Sequence, residues 1–501
     1  MSVLAGRLGL VAAPALGALA TLGFAPLDYS GAAVAGLAGL LFLVSGTAPR
    51  RAFLLGWAYG LGFFMVGVSW VYVSMHDVGG MPAALAALAV FLFAAYLALF
   101  PATATGLAAI IAGPRPTGAL FVAPACWVVL EWLRGWLFTG FPWLALGYAG
   151  TGGPFAPFAP LVGVYGLGWL YAFAAAAVVD FAQRHKVLCW PRLHARDAAL
   201  PLLLVAGTML SQVEWTVADG SRVKVALLQG NIAQDLKFEA ARFESTLATY
   251  KRLIEAHPAD ITVLPETALP RMLHALPREY LDDLRAGAHA AGANLIIGVP
   301  RAESSERYFN SAVSLGAAPS QRYDKVHLVP FGESIPWGFR WFVDAMKIPL
   351  GDFTRGSKTP QPMQLGSQRV AVNICYEDLF GEEIIRQLPE ASLLVNISNI
   401  AWFGDSLAPH QHLQISRMRA LETGRMMLRA TNTGMTAVIG ADGRVIRQLP
   451  PFTEGVLVAE VQGRTGSTPY VHLGNWPIIC ACALTLLLAW RRRAQPDRAL
   501  A

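Results

Sequence analysis

Glu266, Lys325 and Cys375 are the residues whose types could together carry out one reaction. Acyl transfer through a thiol needs a nucleophile, a carboxylate to take its proton and later return it, and a cation to hold the tetrahedral intermediate's negative oxygen. In that assignment Cys375 attacks and Glu266 is the base. Lys325, with the backbone N–H of the residue after the cysteine, steadies the oxyanion. The same types also describe an ordinary Glu–Lys ion pair beside a small buried cysteine, and type alone does not choose between the two.

The elements around these residues narrow the choice. Cys375 ends the apolar run 370–374, which reads as a buried strand, and the stretch 377–388 after it has helical spacing and an acidic first turn. A strand-to-helix elbow is expected there, with backbone N–H groups and the helix dipole lowering the thiol's pKa. Glu266 closes a second apolar strand, 260–266, at Pro265, and Lys325 lies in the segment 323–333, which also carries Glu333. Further strands are expected at 223–231, 295–299, 393–397, 435–439 and 456–461, and helices at 241–256 and 280–291. Strands that alternate with helices and end in hairpin-like strands indicate an α/β sandwich.

That sandwich is only half of the chain. Of 501 residues 54% are hydrophobic and 14% charged, where a soluble protein has about a quarter charged. The apolar excess lies mainly before residue 217, so the expected layout is a membrane bundle over 1–217, a soluble catalytic domain over 218–472, and a last helix with a basic tail over 473–501. Eight spans are expected, at 8–26, 30–48, 53–74, 82–112, 118–138, 161–182, 198–217 and 476–490, several of them near the ~20 residues needed to cross a hydrocarbon core and the last one short. Arg7 before the first run would also suit a signal peptide, but the next run begins almost at once. With a cytoplasmic N-terminus, Arg50, Arg51, Arg115, Arg184, Lys186, Arg192, Arg196 and Arg491 to Arg493 all fall inside, which puts the soluble domain outside. The net charge of +6 therefore reports topology and not nucleic-acid binding. Cys126, Cys480 and Cys482 fall within spans and Cys189 in an inner loop, leaving Cys375 as the one external thiol, with no disulfide partner there.

Three motifs carry a resemblance. Leu264-Pro265-Glu266-Thr267, Asp324-Lys325-Val326-His327-Leu328-Val329-Pro330-Phe331-Gly332-Glu333 and Ile374-Cys375-Tyr376-Glu377 resemble the catalytic motifs of the nitrilase superfamily. Their wording, the eight-span layout, and the segments 134–143, 396–406, 409–412, 468–470 and 474–477 resemble the bacterial apolipoprotein N-acyltransferases over nearly the whole chain. The resemblance implies an αββα sandwich on a bundle in the inner membrane, with a periplasmic catalytic domain and both termini cytoplasmic. It implies that Cys375 takes the sn-1 acyl chain of a phospholipid, commonly phosphatidylethanolamine, as a thioester. The α-amino group of an apolipoprotein's diacylglyceryl-cysteine then receives it. No cofactor is implied, and a monomer is expected. Glu333 is expected to orient Lys325, Tyr376 and Glu377 to shape the pocket, and Phe238, Asn399 and Trp402 to support it. The family commonly has a tryptophan at the place of Phe238 and an aspartate at the place of Ile400.

Other features have plainer readings. His410 and His412 form an H-x-H pair without a third ligand, so no metal is expected. Glu131 and Arg134 share a helix face, either as a lipid-headgroup site or as a structural ion pair. Trp136, Phe138, Phe141 and Trp143 read as an interfacial belt, and the apolar segment 337–353 as a lid or a packing surface. Two rival functions fit less of the chain: a membrane-tethered amidase, with water as acceptor, and a lipid-binding or transport scaffold with a degenerate sandwich.

Overall fold

The computed structural model describes residues 2–113, 116–184, 194–234, 237, 239–335, 338, 340 and 352–494. Phe238 and most of the expected lid 337–353 lie outside the described residues. The chain divides into two compact units, one of residues 1–213 with 473–501 and one of residues 214–472.

In the second unit twelve strands form two six-stranded sheets. The first sheet holds β1 (Thr216–Gln229), β2 (Ile261–Val263), β3 (Asn294–Ala302), β4 (Tyr308–Gly316), β5 (Arg322–Asp324) and β12 (Gly455–Gly466), in the order β12-β1-β2-β3-β4-β5. The second holds β6 (Met363–Leu365), β7 (Gln368–Ile374), β8 (Leu393–Ser398), β9 (Met426–Thr431), β10 (Ala437–Ile439) and β11 (Val445–Gln448), in that spatial order reversed. In each sheet the central strands pair parallel and the outer ones antiparallel.

The period of two along each strand decides the layering. Val223, Val225 and Leu227 of β1 face Val370, Val372 and Ile374 of β7 and Leu393, Val395 and Ile397 of β8 in one shared core. The alternate residues Ala226 and Leu228 pack on the helices Ala240–Ala256 and Arg278–Ala290 through Phe243, Leu247, Tyr250 and Leu284. Ala371, Leu394 and Met427 pack on the helix Leu407–Thr423 through Leu413 and Ala420. Apolar residues on both faces of each sheet thus give four layers, helix, sheet, sheet, helix.

Two expectations about this unit are corrected. The stretch 377–388 is not one helix: Cys375–Leu379 is a 3-10 turn, Phe380 leaves helical geometry, and only Gly381–Ile384 is α-helical. The acidic first turn is consumed by tertiary contacts, since Glu377 and Asp378 are buried and bonded to distant groups. The seventh apolar run also ends early. Its helix is Ala199–Leu210, and Thr216, inside the expected span, already pairs with Gly466 as part of β1.

In the first unit, helices occupy the places of all eight expected runs, and two of them, Ser30–Val44 and Ala199–Leu210, are short for a span. Among the described residues Ala83–Ala112 and Ala156–Arg184 are long and apolar enough to cross a membrane, with a third span where Pro49–Gly67 and Trp70–Val78, bent by 53°, count as one. Ser30–Val44 has 15 residues, about 22 Å of rise against a core of about 30 Å, and Trp476–Ala494 ends in three arginines. Small residues let these helices touch: a Cβ on Gly62 would stand 2.1 Å from the Pro14 carbonyl oxygen. Apolar side chains such as Leu88, Phe91 and Leu92 remain exposed along Ala83–Leu97, as lipid-facing residues are.

Glu131 and Arg134 take the structural role. Arg134 donates to the carbonyls of Phe141 (2.6 Å) and Trp143 (2.7 Å), and Glu131 accepts from the Leu146 N–H (3.0 Å). Both charges therefore serve to hold the loop after their helix. Of the four aromatics read as a belt, Trp136 and Phe138 are exposed, whereas Trp143 is buried against Trp70. Trp143 belongs to the packing of that loop.

Candidate active site

Glu266, Lys325 and Cys375 come together at strand ends of the two facing sheets. Cys375, the residue after β7, has φ +55°, a left-handed conformation that side chains with a Cβ adopt at some cost. Thr267, next to Glu266, is left-handed too, with φ +49°. At Gly298 of β3 a Cβ would stand 2.2 Å from the Pro265 carbonyl oxygen and 2.7 Å from the Glu266 Cα, so glycine lets the Glu266 loop lie on the strand. Gly298→Ala is expected to push this loop off, destabilising the protein by about 1–3 kcal/mol, as denaturation midpoints would report.

The lysine ammonium sits between two carboxylates. Lys325 Nζ donates to Glu266 Oε1 at 3.2 Å and to Glu333 Oε1 at 2.9 Å. Asn310, on β4, donates its amide to the same two oxygens at 2.7 Å each, while the Asn399 backbone N–H reaches Glu266 Oε2 at 2.8 Å. Glu333 Oε2 in turn accepts from the Val329 N–H at 2.9 Å. Burial alone would raise the Glu266 carboxyl, but Lys325, Asn310 and Asn399 outweigh it and hold the group below its ordinary value. Glu266 is therefore held in its ionised form at neutral pH. Burial works against the Lys325 charge as well, but the two glutamates hold its ammonium above the usual lysine range.

Cys375 does not meet the expectation of a lowered pKa. Burial, and then the negative charge of Glu266, push the thiol well above its usual value despite Lys325. The short turn after it gives little helix dipole, and a buried carboxylate is the stronger neighbour. The resting pair is a neutral thiol beside an ionised carboxylate.

Glu377 ties the Lys325 segment to the Cys375 elbow. Its Oε1 accepts from the N–H groups of Val326 (2.6 Å) and His327 (3.0 Å), next to Lys325, and its Oε2 from the Ile374 N–H (2.7 Å) and the Tyr323 hydroxyl (2.8 Å). Burial pushes its carboxyl up to about 7 in spite of these donors. Tyr376 packs edge-on against Phe380, which stacks on His327 at 3.6 Å. Asn399 acts through its backbone, and its side chain is held by Gln234 and Asn432. Trp402 is 41% exposed and forms no hydrogen bond to the three among the described residues. Ile400, where the resembled family commonly has an aspartate, is buried against Gly434.

Residues 16–177 match the family described as apolipoprotein N-acyltransferase N-terminal domain, and residues 224–470 the carbon-nitrogen hydrolases. The apolipoprotein N-acyltransferase of Ralstonia nicotianae is 48% identical, over 96% of this chain and 93% of its own. That of Nitrosomonas europaea is 46% identical, over 96% of this chain and 97% of its own. The chain belongs to the apolipoprotein N-acyltransferase family. With that it is a membrane protein of lipoprotein biosynthesis whose second unit has the carbon-nitrogen hydrolase, or nitrilase-like, fold. Among solved structures, a carbon-nitrogen hydrolase from Helicobacter pylori is similar at 18% identity and a TM-score of 0.36, over 56% of this chain and 96% of that one.

Several members of the site escaped the sequence reading. Asn310 is the clearest, because it bridges both glutamates from a strand that was not expected at all. Asn310→Ala is expected to cost about 1–3 kcal/mol of site stabilisation and to raise the Glu266 pKa. The acid limb of a pH–rate profile should then move to higher pH. Lys237 is a second buried lysine; its Nζ donates to the Glu266 carbonyl at 3.2 Å, and burial lowers it to about 8. His412, weighed as half of a metal pair, lies under the elbow with Asp378 and Arg429. Among the described residues no group of His, Cys, Asp and Glu could hold a metal ion.

Proposed function

We propose that this protein moves an acyl chain from a phospholipid to the α-amino group of an apolipoprotein's N-terminal diacylglyceryl-cysteine, through a thioester on Cys375. The observation that carries the reading is the Glu266–Lys325–Glu333 cluster beside a cysteine on a left-handed elbow, in a chain of this family.

In the first half-reaction Glu266 takes the thiol proton as Cys375 Sγ attacks the ester carbonyl, commonly the sn-1 ester of phosphatidylethanolamine. Lys325 and the backbone N–H of Tyr376 hold the oxyanion. The C–O bond breaks, the lysophospholipid oxygen takes the proton from Glu266, and the thioester remains. In the second half the acceptor ammonium gives one proton to solvent, and its amine attacks the thioester. A second proton leaves the nitrogen through Glu266 and reaches the Cys375 thiolate as the C–S bond breaks, leaving an amide. Lysophospholipid leaves before the acceptor reacts, so the kinetics are ping-pong.

Both substrates live in lipid, which is why a membrane bundle accompanies the hydrolase unit. Eight passes of the inner membrane, a periplasmic catalytic unit, cytoplasmic termini and a monomer complete the proposal, supported by the basic residues at 50–51, 184, 196 and 491–493.

The test is the mass of the purified protein after incubation with phosphatidylethanolamine alone. Wild type should gain one hydroxylamine-labile acyl group, and Cys375→Ala none. A diacylated lipopeptide should then discharge it. Unchanged mass in wild type, with the lipid intact, would sink the thioester.

A further inference from the structure

Beneath the elbow lies a polar network that the acyl-transfer steps do not use. His412 Nε2 is 2.7 Å from Asp378 Oδ1 and 3.2 Å from the Cys375 carbonyl oxygen. Both neighbours are acceptors, so the ring's proton is assigned to Nε2. Asp378 Oδ2 accepts from Ser416 Oγ at 2.5 Å and from Arg429 Nη1 at 3.2 Å. The same Nη1 donates to Asn396 Oδ1 at 2.7 Å. This fixes which end of the Asn396 amide is oxygen, and its Nδ2 donates to the Cys375 carbonyl at 3.1 Å. Asp378, Asn396, Ser416 and Arg429 are all fully buried and His412 nearly so.

Two side-chain donors thus converge on one carbonyl, that of the nucleophile. A trans peptide is planar, and its C=O and N–H point to opposite sides. The carbonyl of Cys375 shares its plane with the N–H of Tyr376, so anchoring one aims the other. Cys375 lies past the end of β7, with φ +55°, and only a short 3-10 turn, Cys375–Leu379, follows, so the two side-chain donors add to what fixes this plane.

We infer that His412 and Asn396 are positioning residues for the oxyanion hole, holding the Cys375 carbonyl and thereby directing the Tyr376 N–H at the developing oxyanion. Asp378 and Arg429 orient the two donors and neutralise one another. Burial and the Arg429 charge keep His412 below the usual imidazole range, so it remains a neutral donor. The inference rests on the acyl-transfer reading of Cys375.

Two reactions at the same sulfur separate aiming from mere packing. Alkylation by iodoacetamide passes through no oxyanion, whereas thioester formation from phosphatidylethanolamine does. His412→Leu should be alkylated at Cys375 within about threefold of wild type yet form thioester about 10²–10³-fold more slowly, the loss typical of one oxyanion-hole donor. His412→Gln, whose amide can place an N–H near the Nε2 position, should recover most of that loss. Asn396→Ser, which removes the other donor, should repeat the split and serves if His412→Leu does not fold. Thioester formation by His412→Leu within about threefold of wild type overturns the inference. So does a parallel fall of both reactions without recovery in His412→Gln, or failure of both the leucine and serine variants to fold; each would mean a structural role. Absence of thioester in wild type would instead remove the acyl-transfer reading, and this inference with it.

Discussion

Lys325→Met is expected to slow thioester formation by at least about 10³-fold, for two separable reasons. The first is loss of the ammonium that stabilises the oxyanion. The second concerns Glu266 and Glu333, which share Lys325 Nζ and Asn310 Nδ2 as donors. Without the cation, two buried carboxylates on one amide cannot both stay ionised, and one pKa must rise strongly. The base is then protonated near neutral pH, so residual activity should climb as pH rises through the new value. In wild type Glu266 lies below its ordinary pKa, and no such climb is expected.

The same variant has a stability signature. A carboxyl lowered on folding contributes stability above its unfolded pKa, about 4.3, and loses it as pH falls through the folded value. A lysine raised on folding contributes below its unfolded pKa, about 10.4, and loses that as pH rises through the folded value. Wild type therefore holds the full contribution between about pH 5 and 10, and removing one partner of a buried pair costs about 3–5 kcal/mol in that window. Rates by mass spectrometry and denaturation midpoints across pH would test both parts. Wild-type thioester formation by Lys325→Met would end the oxyanion assignment.

What the sequence disclosed and what it hid have physical explanations. β7 and β8 were legible because they are buried on both faces, so their residues form unbroken apolar runs bounded by turn-formers. β4 and β9 were not, because Asn310, Ser311 and Ser314 interrupt one and Arg429 and Thr431 the other. These polar residues are tolerated inside a sheet because each is hydrogen-bonded, and the two that matter most to the site meet distant partners, Asn310 with Glu266 44 positions away and Arg429 with Asp378 51 positions away. No local pattern reports such a pairing. The residues after Cys375 misled for the same reason: Glu377 and Asp378 have the look of a helix start, yet they bond Val326, His327 and His412. An acidic first turn and an acidic latch are the same letters. Glu266 and Cys375 could be read because each lies near an apolar strand's end, where chain direction brings side chains to one edge, whereas Lys325 follows the short polar strand β5 and was legible only through its motif.

Glu266→Gln should change two reactions of Cys375 in opposite directions. Glutamine preserves the shape of the side chain but cannot accept the thiol proton, and thioester formation should fall about 10²–10⁴-fold, with the acceptor half-reaction equally impaired. The variant also pays a hydrogen-bond penalty: Glu266 Oε1 takes Asn310 and Lys325, Oε2 takes the Asn399 N–H, and an amide must turn its own N–H₂ toward one of these donors. That mismatch costs about 1–3 kcal/mol. The thiol, however, is freed. After burial, the Glu266 charge is the strongest influence raising Cys375, and Lys325 pulls the other way. With the carboxylate gone and the ammonium kept, the thiol pKa must fall, and each unit of fall gives about tenfold more thiolate at a fixed pH. Iodoacetamide should therefore alkylate Cys375 faster in Glu266→Gln than in wild type at pH about 7, while phosphatidylethanolamine acylates it far more slowly. Loss of both reactions together would point to collapse of the site. Acylation at the wild-type rate would show that the proton leaves Cys375 by another route, and Lys237, buried and bonded to the Glu266 carbonyl, would become the group to examine.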